Sequence, residues 1–496
     1  MRKFIVFIHI LLTGLYGSAQ ETQQPGPPKV FSVTELKADF AFFRTSMETL
    51  HPSLYRYQPK DSIDFYFDNG FAKIDHPMQT IAFWELIQNV ISKVGSGHTD
   101  VDPGKTFITN YNYSKHYILS FYIYIRNNRL YVKNYIGKTD TAFNIGDEIL
   151  TVNSKPAYFI LNRERNFITA DGYSNSYKDS QLEVGAFNRL YNLLNGEEDR
   201  FTVTFKSGDV TKTRTIKAAG VQNNEADILR LYGSSQRSEG APLNPEDSSK
   251  SLHEVTYLKD IPSTALLRIS NFTYDDYSSF HKKLFKELKH KNIYNLVIDL
   301  RNNAGGNERA CIDLMKYLVD KNFYFTAKEE GMVDLGKFAG VVDKANRKNS
   351  GVIDFSQVDH KPYQLKTYAN ELQVANEEGF RGGIYLLING GTYSAAALLA
   401  TALKAQTKCV TVGQETGGGL AGCDGGSSVD INLPNTRFRL RMPLLWTYSV
   451  SREQNHGKGL QPDIIFLPTA MDMYNKYFKN IDPFIEKIKT VISSNK

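Results

Sequence analysis

The chain has 496 residues, 41% of them hydrophobic and 23% charged, with 59 Lys+Arg against 53 Asp+Glu for a formal charge of +6. That length exceeds what one core organises and implies several domains, and the composition is that of a folded chain. The charge is spread without a basic block, which excludes nucleic acid or a polyanion as an expected partner. Three cysteines, Cys311, Cys409 and Cys423, allow at most one disulfide and require none, and no HExxH, CxxC or P-loop pattern calls for a metal or another cofactor.

In chain order, residues 1–19 read as a signal peptide: Arg2 and Lys3, an apolar run from Phe4 to Leu12, and a small-residue end at Gly17, Ser18 and Ala19. The run is shorter than the roughly 20 residues that span a bilayer, so the expectation is export to a periplasm or the medium. Residues 20–112 form an expected helical N-terminal domain, with Leu36, Phe40, Phe43 and Met47 at helical spacing, ending in the glycine-punctuated turn "VGSGHTDV" that carries His98. Residues 113–219 alternate in the manner of strands. Within them "NIGDEILTVNSKPA" resembles the GDxIxxINGxxV signature of PDZ domains, which implies a module that takes an extended chain terminus as an added strand. Residues 220–252 include "GSSQRSEGAPLNPEDSSKSL" and read as a linker. From 253 to 496 strands and helices alternate, as in a partly parallel sheet with crossovers, and the polar stretch 323–380 reads as an insertion.

Three glycine-rich turns follow apolar strands in this last domain: "VIDLRNNAGGN", "LLINGGTYSAA" and "TVGQETGGG". Ligands gather at the carboxyl ends of strands in open α/β sheets. Ser394 stands at the start of an alanine-rich helix, where a serine is commonly a cap and where a nucleophile would also be exposed. The N–H groups of Gly305, Gly306 and Ala395 are candidates for an oxyanion hole; structural glycine in tight turns is the alternative for each loop.

These motifs together, in the order "NLVIDLRNNAGGN", "LLINGGTYSAAALLATAL", "TVGQETGGG" and "GKGLQPDI", resemble the S41 peptidases, the C-terminal processing and tail-specific proteases with their tricorn-core relatives. The resemblance covers about residues 251–467. It implies a multidomain α/β protein: a helical N-terminal domain, a PDZ-like β-rich module and an α/β sheet-based protease core of the ClpP/crotonase kind. It also implies Ser394 as nucleophile, the 299–306 loop as part of the oxyanion hole, and polypeptide substrates recognised through a free C-terminus. Processing proteases place a lysine base 25 residues after the serine; here that position is Gly419. The tricorn-like branch takes a histidine from far upstream, and "GSGHTDV" resembles that element, so His98 is the expected base, with Ser96 as a polar neighbour. The branch's orienting glutamate precedes a GVxPD-like motif, matched loosely by "SREQNHGKGLQPD", where Glu453 is the nearby acid and His456 fills the strictly aligned position. An inactive relative that binds peptides is the alternative of another class; an esterase fits less well, since "GTYSA" is not a GxSxG elbow.

Overall fold

The computed structural model describes residues 29–104, 107, 115–136, 143–222, 253–273, 276–331, 370–453 and 457–494. The expected signal peptide, most of the linker, much of the 323–380 stretch and His456 lie outside them.

The C-terminal half is built on a six-stranded sheet in the order His253–Tyr257, Thr264–Ile269, Asn295–Asp299, Gly383–Ile388, Val410–Gly413 and Ile464–Ile465. The first pair is antiparallel and the rest are parallel. Parallel neighbours need crossovers, which the helices Tyr277–His290, Glu308–Lys316 and Ala395–Gln406 supply or accompany. Because side chains alternate across a strand, Ile384, Leu386 and Ile388 enter the core beneath these helices, whereas Tyr385 and Leu387 face the helix Pro483–Ser494 on the other side. Every residue from Ala395 to Leu403 is buried. An alanine-rich sequence suits that place, since small side chains let the helix lie close to the sheet.

Upstream, the helix Val33–Leu50 opens with a reciprocal capping box of Ser32 and Glu35. It buries Leu36, Phe40, Phe43 and Met47 as their spacing predicts. This helical region is joined to the core by a shared sheet: Asp100–Asp102 pairs with Arg439–Pro443, which pairs with Ser428–Asn432. Trp84 Nε1 donates to Val101 O at 2.8 Å. The buried Asp39 carboxylate accepts from Asn435 and Thr436.

The β-rich module runs antiparallel in the order Val210–Lys217, Arg200–Ser207, Glu148–Val152, Arg129–Tyr135, Phe121–Arg126. Glu148–Val152 is the strand of "GDEILTVN". Within the 323–380 stretch, Thr326–Glu330 pairs with Trp446–Ser449 in a three-stranded sheet that includes Gly422–Cys423. On this short edge element Lys328 and Glu330 are exposed, whereas Thr326 is buried and Glu329 is part-buried. All three cysteines are free and buried. Among the described residues no helix is long and apolar enough to cross a membrane.

Candidate active site

Two of the glycine-rich turns are laced together by asparagine side chains. Asn302 N donates to Asn389 Oδ1 at 2.9 Å and Asn389 Nδ2 returns a bond to Asn302 Oδ1 at 3.0 Å. Tyr393 N donates to Asn303 O, and Asn303 Nδ2 to Ile269 O, both at 2.9 Å. Below them Arg301 grips Asp299 and Asp482 with forked bonds of 2.7–3.0 Å. Burial alone would raise the Asp299 carboxyl, but the Arg301 guanidinium outweighs it and holds the group below the usual carboxylate range. The "RNN" of the motif is therefore scaffolding.

On this scaffold Ser394 occupies φ 50°, ψ −130° and makes no side-chain capping bond to the helix that follows. A non-glycine residue in that region carries strain of about 1–3 kcal/mol, and the surrounding bonds hold it there. Its hydroxyl is thus left for other partners. His98 Nε2 lies 3.3 Å from Ser394 Oγ, across 296 positions of sequence. The pairing of Asp100–Asp102 with Arg439–Pro443 brings the histidine turn to the core. Ser96 Oγ and Thr99 Oγ1 bond across that turn at 2.6 Å. Thr99 Oγ1 is also 2.6 Å from Nε2 of the buried His51, whose Nδ1 accepts from Ser53 N. Burial lowers the His51 imidazole to about 4 against a raising influence from Asp424, so it stays neutral.

The other nitrogen of His98 faces two groups. Tyr393 Oη is 3.2 Å from Nδ1 and Asp424 Oδ1 is 3.4 Å away. Asp424 is fully buried and takes a 2.5 Å bond from Ser53 Oγ on its second oxygen. Burial pushes its carboxyl up, yet His98, His51 and Ser53 together bring it below the ordinary value. Room for the ring depends on Gly425: a Cβ there would stand 2.9 Å from His98 Nε2. Tyr393, stacked on the imidazole at 5.0 Å between centroids, donates its hydroxyl proton to Asp171 Oδ1 at 2.9 Å. Burial raises Asp171 to about 6, with His98 opposing and Asp424 adding to the rise. Asp171, Asp424 and His98 offer donor atoms within 4.8 Å of one another, drawn together by the approach of Asp424 to His98 and by the Tyr393 hydroxyl between His98 and Asp171.

The structure therefore brings Ser394 and His98 together and leaves Glu453 apart. Glu453 is exposed, its N–H donates to Ser451 Oγ, and it makes no hydrogen bond or ion pair with His98. An exposed carboxylate is screened by water; the carboxylate beside the imidazole is Asp424. Glu453→Gln should change peptide turnover by less than about twofold, which a kcat measurement checks.

Of the three oxyanion candidates, Gly305 gives its N–H to Asn303 Oδ1 at 2.8 Å, so its amide is not available. Gly306 and Ala395 have no acceptor for theirs among the described residues. Gly305 serves by its shape: at φ 98°, a Cβ would meet Ala395 N at 2.8 Å and Ser394 Cβ at 2.9 Å. Gly305→Ala should cost about 2–4 kcal/mol, read as a lowered Tm. Gly419 cannot simply be a mislaid lysine, since a Cβ there would stand 2.7 Å from Gly422 O and its N–H bonds Asp171 Oδ2. Lys404 is paired with Asp463, and Lys408 is exposed.

Sequence reading missed Asp424, Asp171 and Tyr393. The one local sign was the glycine pair after Asp424, Gly425 and Gly426, an acid set in a turn of the kind that flanks His98. It also missed Glu308, two residues past Gly306, whose carboxyl is raised to about 7 by burial and by Glu329, with His98 acting the other way.

A comparison with curated proteins finds no match. Among solved structures the chain is similar to mature CPAF complexed with lactacystin, with TM-score 0.63 and 16% identity over 93% of this chain and 98% of that one. Mature CPAF alone gives TM-score 0.62 and 15% identity over 93% and 97%. The photosystem II D1 C-terminal processing protease gives 0.42 and 14% over 88% and 94%. Residues 263–466 match the model of peptidase family S41. The matched segment is the domain that holds Ser394 and both laced turns, so it is this domain that carries the likeness to peptidase family S41.

Proposed function

We propose that the protein is an exported serine peptidase in which Ser394 is the nucleophile and His98 the general base. The observation that carries this is the 3.3 Å approach of His98 Nε2 to Ser394 Oγ with a buried carboxylate, Asp424, behind the opposite ring nitrogen. A serine hydroxyl is a weak nucleophile until a base takes its proton. With its proton on Nδ1, the imidazole presents the Nε2 lone pair to Oγ–H. As Oγ attacks the scissile carbonyl, Nε2 takes the proton and the ring becomes cationic, stabilised by Asp424. The new oxyanion is received by the N–H groups of Gly306 and Ala395, the latter at a helix N-terminus with its partial positive charge. The imidazolium then protonates the leaving amine, and water releases the acyl group by the same route.

The substrate in this reading is a polypeptide, engaged by its free C-terminus on the β-rich module, where Phe121–Arg126 is an edge strand. Export is supported by the sequence of residues 1–19. Purified protein should cleave quenched-fluorescence peptides with free C-termini, and Ser394→Ala should not. Equal hydrolysis by both proteins would sink the proposal.

A further inference from the structure

We propose that Asp171 is a positioning residue for His98, acting through the phenol of Tyr393; this builds on the reading of Ser394 and His98 as nucleophile and base. Asp171 comes from a segment far in sequence from both, yet its buried carboxylate ties three turns of the site. Oδ1 accepts from Gly97 N, beside His98, at 3.0 Å and from Tyr393 Oη, beside Ser394, at 2.9 Å. Oδ2 accepts from Gly419 N at 3.3 Å, on the turn where related enzymes carry their lysine. The residues that follow anchor it: Gly172 N donates to Gly95 O at 2.8 Å, Tyr173 N to Gly457 O at 2.7 Å, and Ser176 Oγ to Glu415 O at 2.7 Å. The Tyr177 ring lies 4.2 Å from that of Tyr393.

The chemistry turns on one proton. A phenol has a single hydrogen to donate. Given to Asp171, it leaves a lone pair facing His98 Nδ1, which must then carry the ring proton. Nε2 is thereby kept as the acceptor that a general base requires. If the phenol were free to turn its proton toward Nδ1, the opposite tautomer would be favoured and Nε2–H would face the nucleophile. Asparagine cannot replace the acid, because its one oxygen cannot serve both Gly419 N and the pair formed by Gly97 N and Tyr393. Asp424 supplies charge on the Nδ1 side; Asp171 supplies direction.

The test compares kcat, KM and their pH dependence for the full chain, Asp171→Asn, Tyr393→Phe and the double variant on one quenched peptide, with Ser394→Ala as control. Tyr393→Phe keeps the stacked ring and leaves the Asp171 bonds to Gly97 and Gly419 in place, so it decides the matter if Asp171→Asn fails to fold. Each single variant should lower kcat about tenfold to a hundredfold, the worth of one charge-assisted hydrogen bond, with KM within about twofold. The rising limb of kcat/KM should move to lower pH, since an imidazole that loses an acceptor or a negative neighbour gives up its proton more easily. The other ionisable groups around the relay, among them Asp424, His51, Glu308, Tyr57, Tyr177 and Cys423, are unchanged in every variant. The double variant should be no slower than the slower single. A Tyr393→Phe protein with wild-type kcat and an unmoved limb, beside an inert Ser394→Ala, overturns this proposal alone. Activity that survives in Ser394→Ala overturns the peptidase reading beneath it.

Discussion

His98→Ala is expected to lower peptide turnover by up to about a millionfold, as removal of either member of a serine–histidine pair does. Ser394→Ala should do the same, and the double variant should be little worse than either, because the two side chains act as one unit. Among the described residues neither nearby lysine can take its place: Gly419 stands where processing proteases carry theirs, Lys404 is engaged by Asp463, and Lys408 is exposed. The fold should survive His98→Ala, since the turn is held by Ser96, Thr99 and His51 independently of the imidazole. Circular dichroism and a Tm close to wild type check that. Near-normal turnover by folded His98→Ala would remove the histidine from the mechanism.

Asp424→Asn should reduce kcat roughly ten-thousandfold, the loss seen when the acid behind a catalytic histidine becomes an amide. An amide can turn its NH2 toward Nδ1 and favour the wrong tautomer, and it offers no charge to the imidazolium formed in the transition state. The same substitution should alter acid stability. The Asp424 carboxyl lies below its ordinary value in the folded protein, so its contribution is full above about pH 4 and is lost as pH falls through the folded pKa. Asp424→Asn should flatten that acid-side loss in a Tm series against pH. Together with a small effect of Glu453→Gln, a large effect of Asp424→Asn assigns the acid; the reverse pattern would return it to Glu453.

The parts of this site that were legible in sequence are those fixed by local geometry. A serine between a glycine turn and an alanine-rich helix, and glycines at the end of an apolar strand, announce themselves because backbone shape restricts which residues fit. His98 was legible only through its resemblance to an element of related proteins and the gap at Gly419. Asp424 and Asp171 were not legible, because an orienting carboxylate needs only to arrive within about 3.5 Å of a ring nitrogen or its partner, from any element the fold brings there. Asp171 arrives from the β-rich module and Asp424 from a turn beside a short strand, and neither carries a spacing relation to Ser394. Glu453 drew attention by sequence nearness to a motif, which does not guarantee nearness in space. In the fold, periodicity located the central strands and the buried face of Val33–Leu50. The pairing of Asp100–Asp102 with Arg439–Pro443 was invisible, since it joins segments more than half the chain apart.

The central claim is that His98 activates Ser394, and the most direct measurement is covalent labelling by a fluorophosphonate probe with the modified residue located by mass spectrometry. Wild-type protein should carry one adduct, on Ser394, formed far faster than in folded His98→Ala and absent from Ser394→Ala. Labelling at another residue, or at Ser394 with the same rate in His98→Ala, would contradict the account.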